Sequence, residues 1–466
     1  MKKVFAILFF VFPRLTLQAQ TNVSGGIFAN VTWTLSNSPY VVVDTVVVFP
    51  GVTLTIEPGV VVKFDDGKHL EIREANLIAE GTATDSIIFT SNSASPVPGK
   101  WNKILLHGSI SSNSIIRISY CNFRYATNAL EDILGSGDSL FIRHSVFENN
   151  LGALTSGSTG ANVNYISADT SIFIDNPGSV FSGICLAVIN YCNISNNNFG
   201  GSLFSSTMTN CVINSNYQGM FIQGGSMNAC TVEYNQEGIL ANGGYNTIRN
   251  CVIDSNSIRG VIISGQWNSL LNSEIKYNGV GVELPNAGTN KIVTGCTIEN
   301  NINGIKLDNI YTTITCNKIC NNSNYDLEYA RTSGNNADVS NNYWCSNDSS
   351  IIASHIHDGL DSSALGFVSF IPSDTIGCYL FTEIPNFQQE VLSLTLYPNP
   401  TSSSFIVKNI SNQSFLQILN LQGVILFKTK LPGRDEQDID PHLTPGIYFV
   451  QLIDKALKTT LKLVIE

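Results

Sequence analysis

The chain has 466 residues, 13% of them charged and 43% hydrophobic, which excludes a disordered chain because disorder pairs high charge with few apolar residues. Asn, Gly, Thr, Val and Ile dominate over Ala, Glu, Lys and Leu, which argues against helical bundles and coiled coils. The net charge is −11; without the first 19 residues and the near-neutral segment from Leu392, the stretch from Gln20 to Val391 carries −15, a surface that repels nucleic acid and anionic membranes.

In chain order, Lys2 and Lys3 precede the apolar run Val4 to Phe12, and Leu17-Gln18-Ala19 offers a small residue for cleavage before Gln20. This is the order of a secretory signal over residues 1–19, although Pro13-Arg14 interrupts it. No Cys lies near the cleavage point, which argues against a lipoprotein anchor. Beyond this segment no apolar run reaches the roughly 18 residues of a membrane-spanning helix.

An internal repeat follows. Cys211-Val-Ile-Asn-Ser-Asn216, Cys230-Thr-Val-Glu-Tyr-Asn235, Cys251-Val-Ile-Asp-Ser-Asn256, Ser273-Glu-Ile-Lys-Tyr-Asn278 and Cys296-Thr-Ile-Glu-Asn-Asn301 align, each followed by a glycine at 219, 238, 260, 281 or 304. The register extends back to Cys121 and forward through Asn317 to Ala337, in steps of 19 to 26 residues. The small residue and the apolar residue two places on share one face of a strand. Asn and then Gly mark a turn that needs unusual backbone angles. One such coil cannot bury its own apolar face, but stacked coils can. A parallel β-helix with rungs about 4.8 Å apart is expected, of about 13 coils.

Two ladders follow from the stacking. Asn150, Asn176, Asn197, Asn216, Asn235, Asn256, Asn278, Asn301, Asn322 and Asn342 occupy one register position, with amides expected to bond along the stack inside the turn. Cys192, Cys211, Cys230 and Cys251 form an inward column of free thiols, because rungs about 4.8 Å apart exceed the usual Cβ separation of a disulfide. The chain has eleven Cys. A disulfide is expected among Cys316, Cys320, Cys345 and Cys378, with its pairing left open.

These repeats resemble right-handed parallel β-helix proteins of the pectin lyase-like fold. Trp33 to Phe64, with Pro39-Tyr-Val-Val42 and Thr53-Leu-Thr-Ile-Glu-Pro-Gly59, resembles their opening coils, and Ile87-Ile-Phe-Thr-Ser91 and Gly99-Lys-Trp101 continue the match. Asn341-Asn-Tyr-Trp344, Ile356-His-Asp-Gly359 and Leu365-Gly-Phe-Val368 resemble a closing element. The resemblance covers roughly Val31 to Pro372 and supplies the handedness; the repeat itself sets the expected β-helix at residues 20–378. The family includes polysaccharide lyases, glycoside hydrolases and adhesins, and a fold does not choose among them.

Candidate chemistry is sparse. Three places after the ladder residue stand Glu233, Asp254, Lys276 and Glu299 on successive coils. Glu233 and Asp254 roughly 5 Å apart would suit a retaining glycosidase, but a solvated charged face with Lys276 relieving repulsion is the favoured reading. A second outward column, Phe221, Leu240, Ile262, Glu283 and Lys306, opens with an apolar stripe that marks either a binding surface or a covered patch. His355-Ile-His357-Asp358 has metal-ligand spacing but falls in the closing element, so no metal is expected. Neither the Asp pair with Gly-His-Gly of polygalacturonases nor the Arg, Lys and calcium-carboxylate set of pectate lyases is present. The negative body opposes unaided polyuronate binding; calcium bridging is open, without a motif, and no other cofactor is expected.

Residues 379–391 break the repeat and read as a linker. From Leu392, alternating segments such as Ser404-Phe-Ile-Val407 and Leu416-Gln-Ile-Leu419 suggest a small antiparallel β-sandwich. Tyr397-Pro-Asn-Pro400, Asn420-Leu-Gln-Gly423 and Gly446-Ile-Tyr448, in that order before the C-terminus, resemble the type A C-terminal sorting domain of the type IX secretion system of Bacteroidetes. The resemblance implies translocation by that machinery, removal of the tail, and surface attachment or release. The expectation is an all-β, monomeric, secreted or surface β-helix that binds extracellular glycan or another surface without catalysis; the alternative is a polysaccharide lyase or glycoside hydrolase.

Overall fold

A computed structural model describes residues 20–109, 114–133, 138–156, 165–332, 334–373, 395–397, 401–408, 415–419, 425–431, 436–454 and 457–465. The export segment, residues 379–391, Cys378, and the 398–400 and 420–423 motif residues lie outside them. The chain divides into two compact units, Met1–Thr382 and Glu383–Glu466.

In the first unit each coil contributes three short strands, one to each face of a parallel β-solenoid. Thr207–Thr209, Val212–Asn214 and Gln218–Gln223 make one coil. Ser226–Asn228, Thr231–Glu233 and Glu237–Ala241 make the next and pair with them in parallel. The first face is a sheet of 13 strands. The second and third faces join at Tyr40–Val48, which pairs with both Val61–Phe64 and Leu70–Arg73.

Alternation sends every second side chain inward, and the inner columns fill the core with like residues. Phe89, Phe123, Phe147 and Phe173 stack with ring centroids 4.6, 4.7 and 4.9 Å apart, because rung spacing and ring spacing coincide. Cys192, Cys211, Cys230 and Cys251 are buried free thiols in one column.

The Asn ladder closes the turn between the second and third faces. Asn216 donates its backbone N–H and its Nδ2–H to Asn235 Oδ1 at 2.9 and 3.0 Å, and Nδ2–H also to Ile194 O at 3.0 Å. The same bonds recur from Asn150 to Asn301. Asn322 ends the run by donating to Asp326 Oδ1 at 2.8 Å. Asn342 does not belong to this ladder: it receives the bonds of Asn317, in the column that holds Cys296. The step after Asn317 is therefore 25 residues. Ala337 pairs instead with Val368, because an irregular stretch after Tyr325–Tyr329 lengthens the last coil.

The turn chemistry differs from the expected Asn-then-Gly device. The left-handed residue is the one before each Asn: Ser215, Tyr234, Ser255, Tyr277 and Asn300 have φ between 55° and 59°. The glycines serve close approach instead. A Cβ on Gly238 would lie 2.4 Å from the Gly260 carbonyl oxygen, and one on Gly260 2.8 Å from that of Gly281.

The turn from the third face back to the first has its own left-handed position, held by Ser205, Gly224, Tyr245, Trp267 and Asn290. Behind it Asn246 donates N–H and Nδ2–H to Asn268 Oδ1, both at 2.9 Å. One rung on, the buried Lys291 donates to Pro285 O at 2.7 Å, and burial pulls its ammonium down to about 8. From this turn position to the next inner Cys or Ser is always six residues, as in Ser205–Cys211, Tyr245–Cys251 and Asn290–Cys296, and from there to the ladder Asn always five. From Cys192 to Asn301 all variation in coil length falls between the ladder Asn and this third turn, whereas the opening coils vary elsewhere too: Ile87 to Trp101 spans 14 residues where the equivalent Cys121 to Ala126 spans five.

The far end closes with the helix Ser349–Ser354, the disulfide Cys320–Cys345 and the strand Ile356–His357, which pairs with Leu327 and Glu328. Cys316 is disulfide-bonded as well. In the second unit the strands form antiparallel sheets of three and four. Phe405, Val407 and Ile439 of the first and Leu416, Ile418, Val450 and Leu463 of the second meet in one core. Among the described residues no helix is long and apolar enough to cross a membrane.

Candidate functional site

The second face gathers Glu233, Asp254, Lys276 and Glu299 into one register column, each the lateral neighbour of the next. Lys276 Nζ lies 3.2 Å from Glu274 and 3.3 Å from Glu299, and Lys318 Nζ 2.6 Å from Glu299. Burial works against the charge on Glu299, but Lys318 and Lys276 outweigh it and hold the carboxyl below its ordinary value. Burial likewise opposes the charge on Lys276, and Glu274 with Glu299 raises it. Half of the column is thus an ion-paired surface. Asp254 Oδ1 accepts the Ser255 hydroxyl.

The third-face column is also in register, from Phe221 through Leu240, Ile262 and Glu283 to Lys306. Its apolar part is not an open stripe. Ile262 is buried, Phe221 and Leu240 are half-buried, and a small cavity of about 80 Å³ lies beside them. Arg259 then bridges Glu237 and Glu283 at 3.1 and 2.8 Å. The two closing histidines diverge: His355 faces Asp326 at 3.9 Å and His357 faces Asp361 at 3.7 Å. Asp358 accepts the backbone N–H groups of Leu360 and Val368. Among the described residues no three His, Cys, Asp or Glu side chains gather as a metal site.

Two polar constellations escaped the sequence reading because they lie outside the regular repeat. On the third face Arg73 forks onto Glu71 through Nε and Nη2 at 2.6 and 2.9 Å, and His107 Nδ1 lies 3.1 Å from the same carboxylate. Arg73 first, then His107, hold the Glu71 carboxyl below its ordinary value against the effect of burial.

The second lies on the outer side of the 13-stranded sheet. A cavity of about 340 Å³ is lined by Glu80, Arg117, Ile118, Ser119, Phe141 and Arg143. Strand alternation builds it: Arg117 and Ser119 point outward from Ile115–Ser119, Phe141 and Arg143 from Ser139–Arg143. Register sets Arg117 beside Phe141, and Ser119 between Glu80 and Arg143. Neither guanidinium has an ion pair among the described residues. The connecting segments 110–113, 134–137 and 157–164 contain no Asp or Glu. Planar forks of donors beside an aromatic face suit an oxyanion carried on a ring, and the volume is that of a small-ligand site. The available signal was Arg at alternate outward positions of neighbouring strands.

Three family models match parts of the chain: the secretion system C-terminal sorting domain at residues 395–466, the pectate-lyase like beta helix domain at 25–134, and the periplasmic copper-binding protein (NosD) at 203–359. No curated protein matches. Among solved structures, the periplasmic alginate epimerase AlgG is 10% identical with a TM-score of 0.37, over 71% of this chain and 76% of that one. A tailspike protein variant of E. coli bacteriophage HK620 is 11% identical with a TM-score of 0.32, over 91% and 87%. Pectate lyase Pel9A is 12% identical with a TM-score of 0.24, over 70% of each chain. The chain therefore carries a pectate-lyase-like β-helix domain within its parallel solenoid and ends in a secretion-system C-terminal sorting domain.

Proposed function

We propose that this is a noncatalytic glycan-binding protein of the cell surface or medium, delivered by the type IX secretion system through its tail. The observation that carries the binding reading is the first-face cavity in which two guanidiniums make no ion pair among the described residues, although Glu80 lines it and Asp169 is the lateral neighbour of Arg143. Arg117 and Arg143 take the carboxylate or sulfate ester of one acidic sugar, Phe141 supports the ring, and Glu80 and Ser119 accept or donate to its hydroxyls. The charge of −15 on the surrounding body disfavours a glycan charged at every unit, so the ligand alternates acidic and neutral sugars. Glu233 and Asp254 stay part of the solvated second face, away from this cavity's lining.

The test is affinity electrophoresis of the mature protein in gels containing hyaluronan (carboxylate only), carrageenan (sulfate only) or neutral dextran, with reducing ends assayed in parallel. Retardation by hyaluronan or carrageenan and not by dextran is expected, with no new reducing ends. The double variant Arg117→Gln/Arg143→Gln should run freely at unchanged Tm. Mobility unaffected by either acidic glycan sinks the reading, and accumulating reducing ends make the protein an enzyme.

A further inference from the structure

Tyr245 and Trp267 stand on successive rungs of the third turn, their rings parallel to within 3° and their centroids 6.4 Å apart. They are 70% and 50% exposed. Both occupy the left-handed region, with φ of 62° and 57°, where a bulky side chain is strained. The same position carries Ser205 and Gly224 on the preceding rungs and Asn290 on the following one. Exposed aromatic area and left-handed backbone also coincide singly at Tyr191, Tyr234 and Tyr277, but here two parallel rings lie on adjacent rungs above closely hydrogen-bonded turns. Tyr245 N–H bonds to Gln266 O, and Trp267 N–H to Thr289 O. Gly243, Gly265 and Gly288 nest so closely that a Cβ on Gly265 would collide with the Gly243 carbonyl. Asn246 and Asn268 lock the turns from inside, donating to Asn242 O and Ser264 O at 2.7 Å.

The position of this pair matters as much as its shape. Tyr245 lies two residues before Thr247, and register carries the outward column of Phe141 through Ser167, Val188, Thr207 and Ser226 to Thr247. From Phe141 to Thr247 is five rungs of the first face, about 24 Å. Small, mostly hydroxyl-bearing side chains separate the cavity from the rings, so nothing bulky in that column interrupts a chain lying along the solenoid axis.

We infer that Tyr245 and Trp267 form a sugar-stacking platform, a second subsite for the same glycan chain whose acidic unit enters the Arg117–Arg143 cavity. The inference rests on the glycan reading above. A pyranose offers a flat C–H face to each ring and keeps its hydroxyls in water or against the Ser and Thr track. A protein partner fits less well, because a hot spot needs surrounding contacts that exclude water and the rung neighbours of this pair are Gly224 and Asn290. Both subsites are engaged only by an oligomer that spans five rungs. The second contact is then intramolecular, which multiplies affinity without a new site.

Trp267 gives the platform its own signal. The chain has four tryptophans, and Trp33, Trp101 and Trp344 are buried. The experiment titrates the mature protein with the hyaluronan or carrageenan that retards it, as polymer and as disaccharide, following both gel mobility and tryptophan emission. The polymer is expected to shift Trp267 emission and shield it from iodide. Trp267→Ala with Tyr245→Ala should weaken polymer binding at least about tenfold and leave disaccharide binding unchanged, while Trp267→Phe keeps most of the affinity. Polymer retardation that persists in the double Ala variant, with emission unmoved in the wild type, overturns the platform and leaves the glycan reading standing. Absence of retardation and of any emission change in the wild type removes both.

Discussion

Arg73 grips Glu71 with two parallel hydrogen bonds of 2.6 and 2.9 Å, on a carboxylate that is 6% exposed. The pairing lowers the folded-state pKa of Glu71 below its ordinary 4.5. A lowered carboxylate contributes stability above the unfolded pKa and loses it as pH falls through the folded value. Glu71→Gln should therefore cost roughly 1–3 kcal/mol at pH 7. The difference from wild type should shrink steadily below pH 4.5. Urea unfolding at several pH values checks this; a gap that stays constant into acid would refute it.

The Asn ladder and the glycine column should respond differently to small changes. Asn256→Ala removes an amide that donates to Val232 O and Asn278 Oδ1 and leaves buried partners unpaired, at about 2–3 kcal/mol. Gly238→Ala introduces a Cβ 2.4 Å from a backbone carbonyl, which separates two rungs and should cost at least as much, about 3 kcal/mol. Gly67→Ala meets no atom within 4 Å, though its φ of 71° still costs about 1 kcal/mol. Chemical denaturation of the three variants ranks them.

Burial pushes the Cys121 thiol up and the Cys296 thiol to about 12, so neither is reactive at neutral pH. Iodoacetamide on the native protein should label Cys185, which is only half-buried, and spare Cys121, Cys192, Cys211, Cys230, Cys251 and Cys296. Mass spectrometry after denaturation should find those six as labelled thiols. Disulfide-linked peptides between neighbouring column cysteines would contradict the structure.

Deleting residues 392–466 should leave a protease-resistant solenoid, because the first unit is compact by itself and carries its own core. The truncated protein should remain in the periplasm, whereas the full chain reaches the surface or medium. Cell fractionation decides it: export at the full-length level would remove the sorting role of the tail.

The periodic part of the fold was legible because one residue type repeats at each inner position. Asn235, Asn256 and Asn278 announce a turn on every rung, and Cys211 and Ile213 announce one strand face. Periodicity also misled where two columns carry the same residue: Asn342 reads as a continuation of Asn322, yet it stacks on Asn317. The purpose of Gly238 was misread because a glycine required by a neighbour's carbonyl looks the same in sequence as one required by φ. The candidate site was hardly legible. Arg117 and Phe141 belong to coils of irregular length, and their adjacency depends on a register that only the stacked structure supplies. Tyr245 and Trp267 are 22 residues apart, and nothing in either segment says that their rings are parallel.

Across the coils from Cys192 to Asn301, the constant spacings on two turns and the variable one on the third divide the solenoid into a fixed chassis and a writable margin. An insertion between Cys230 and Asn235 would throw two ladders out of alignment, whereas residues added between Asn235 and Tyr245 displace neither. Selection, or a designer, can therefore lengthen and re-letter the third turn one rung at a time while the rest of the coil is inherited unchanged. The aromatic pair sits at the edge of that margin, so what this turn presents can drift among descendants of such a chain much faster than the solenoid that carries it.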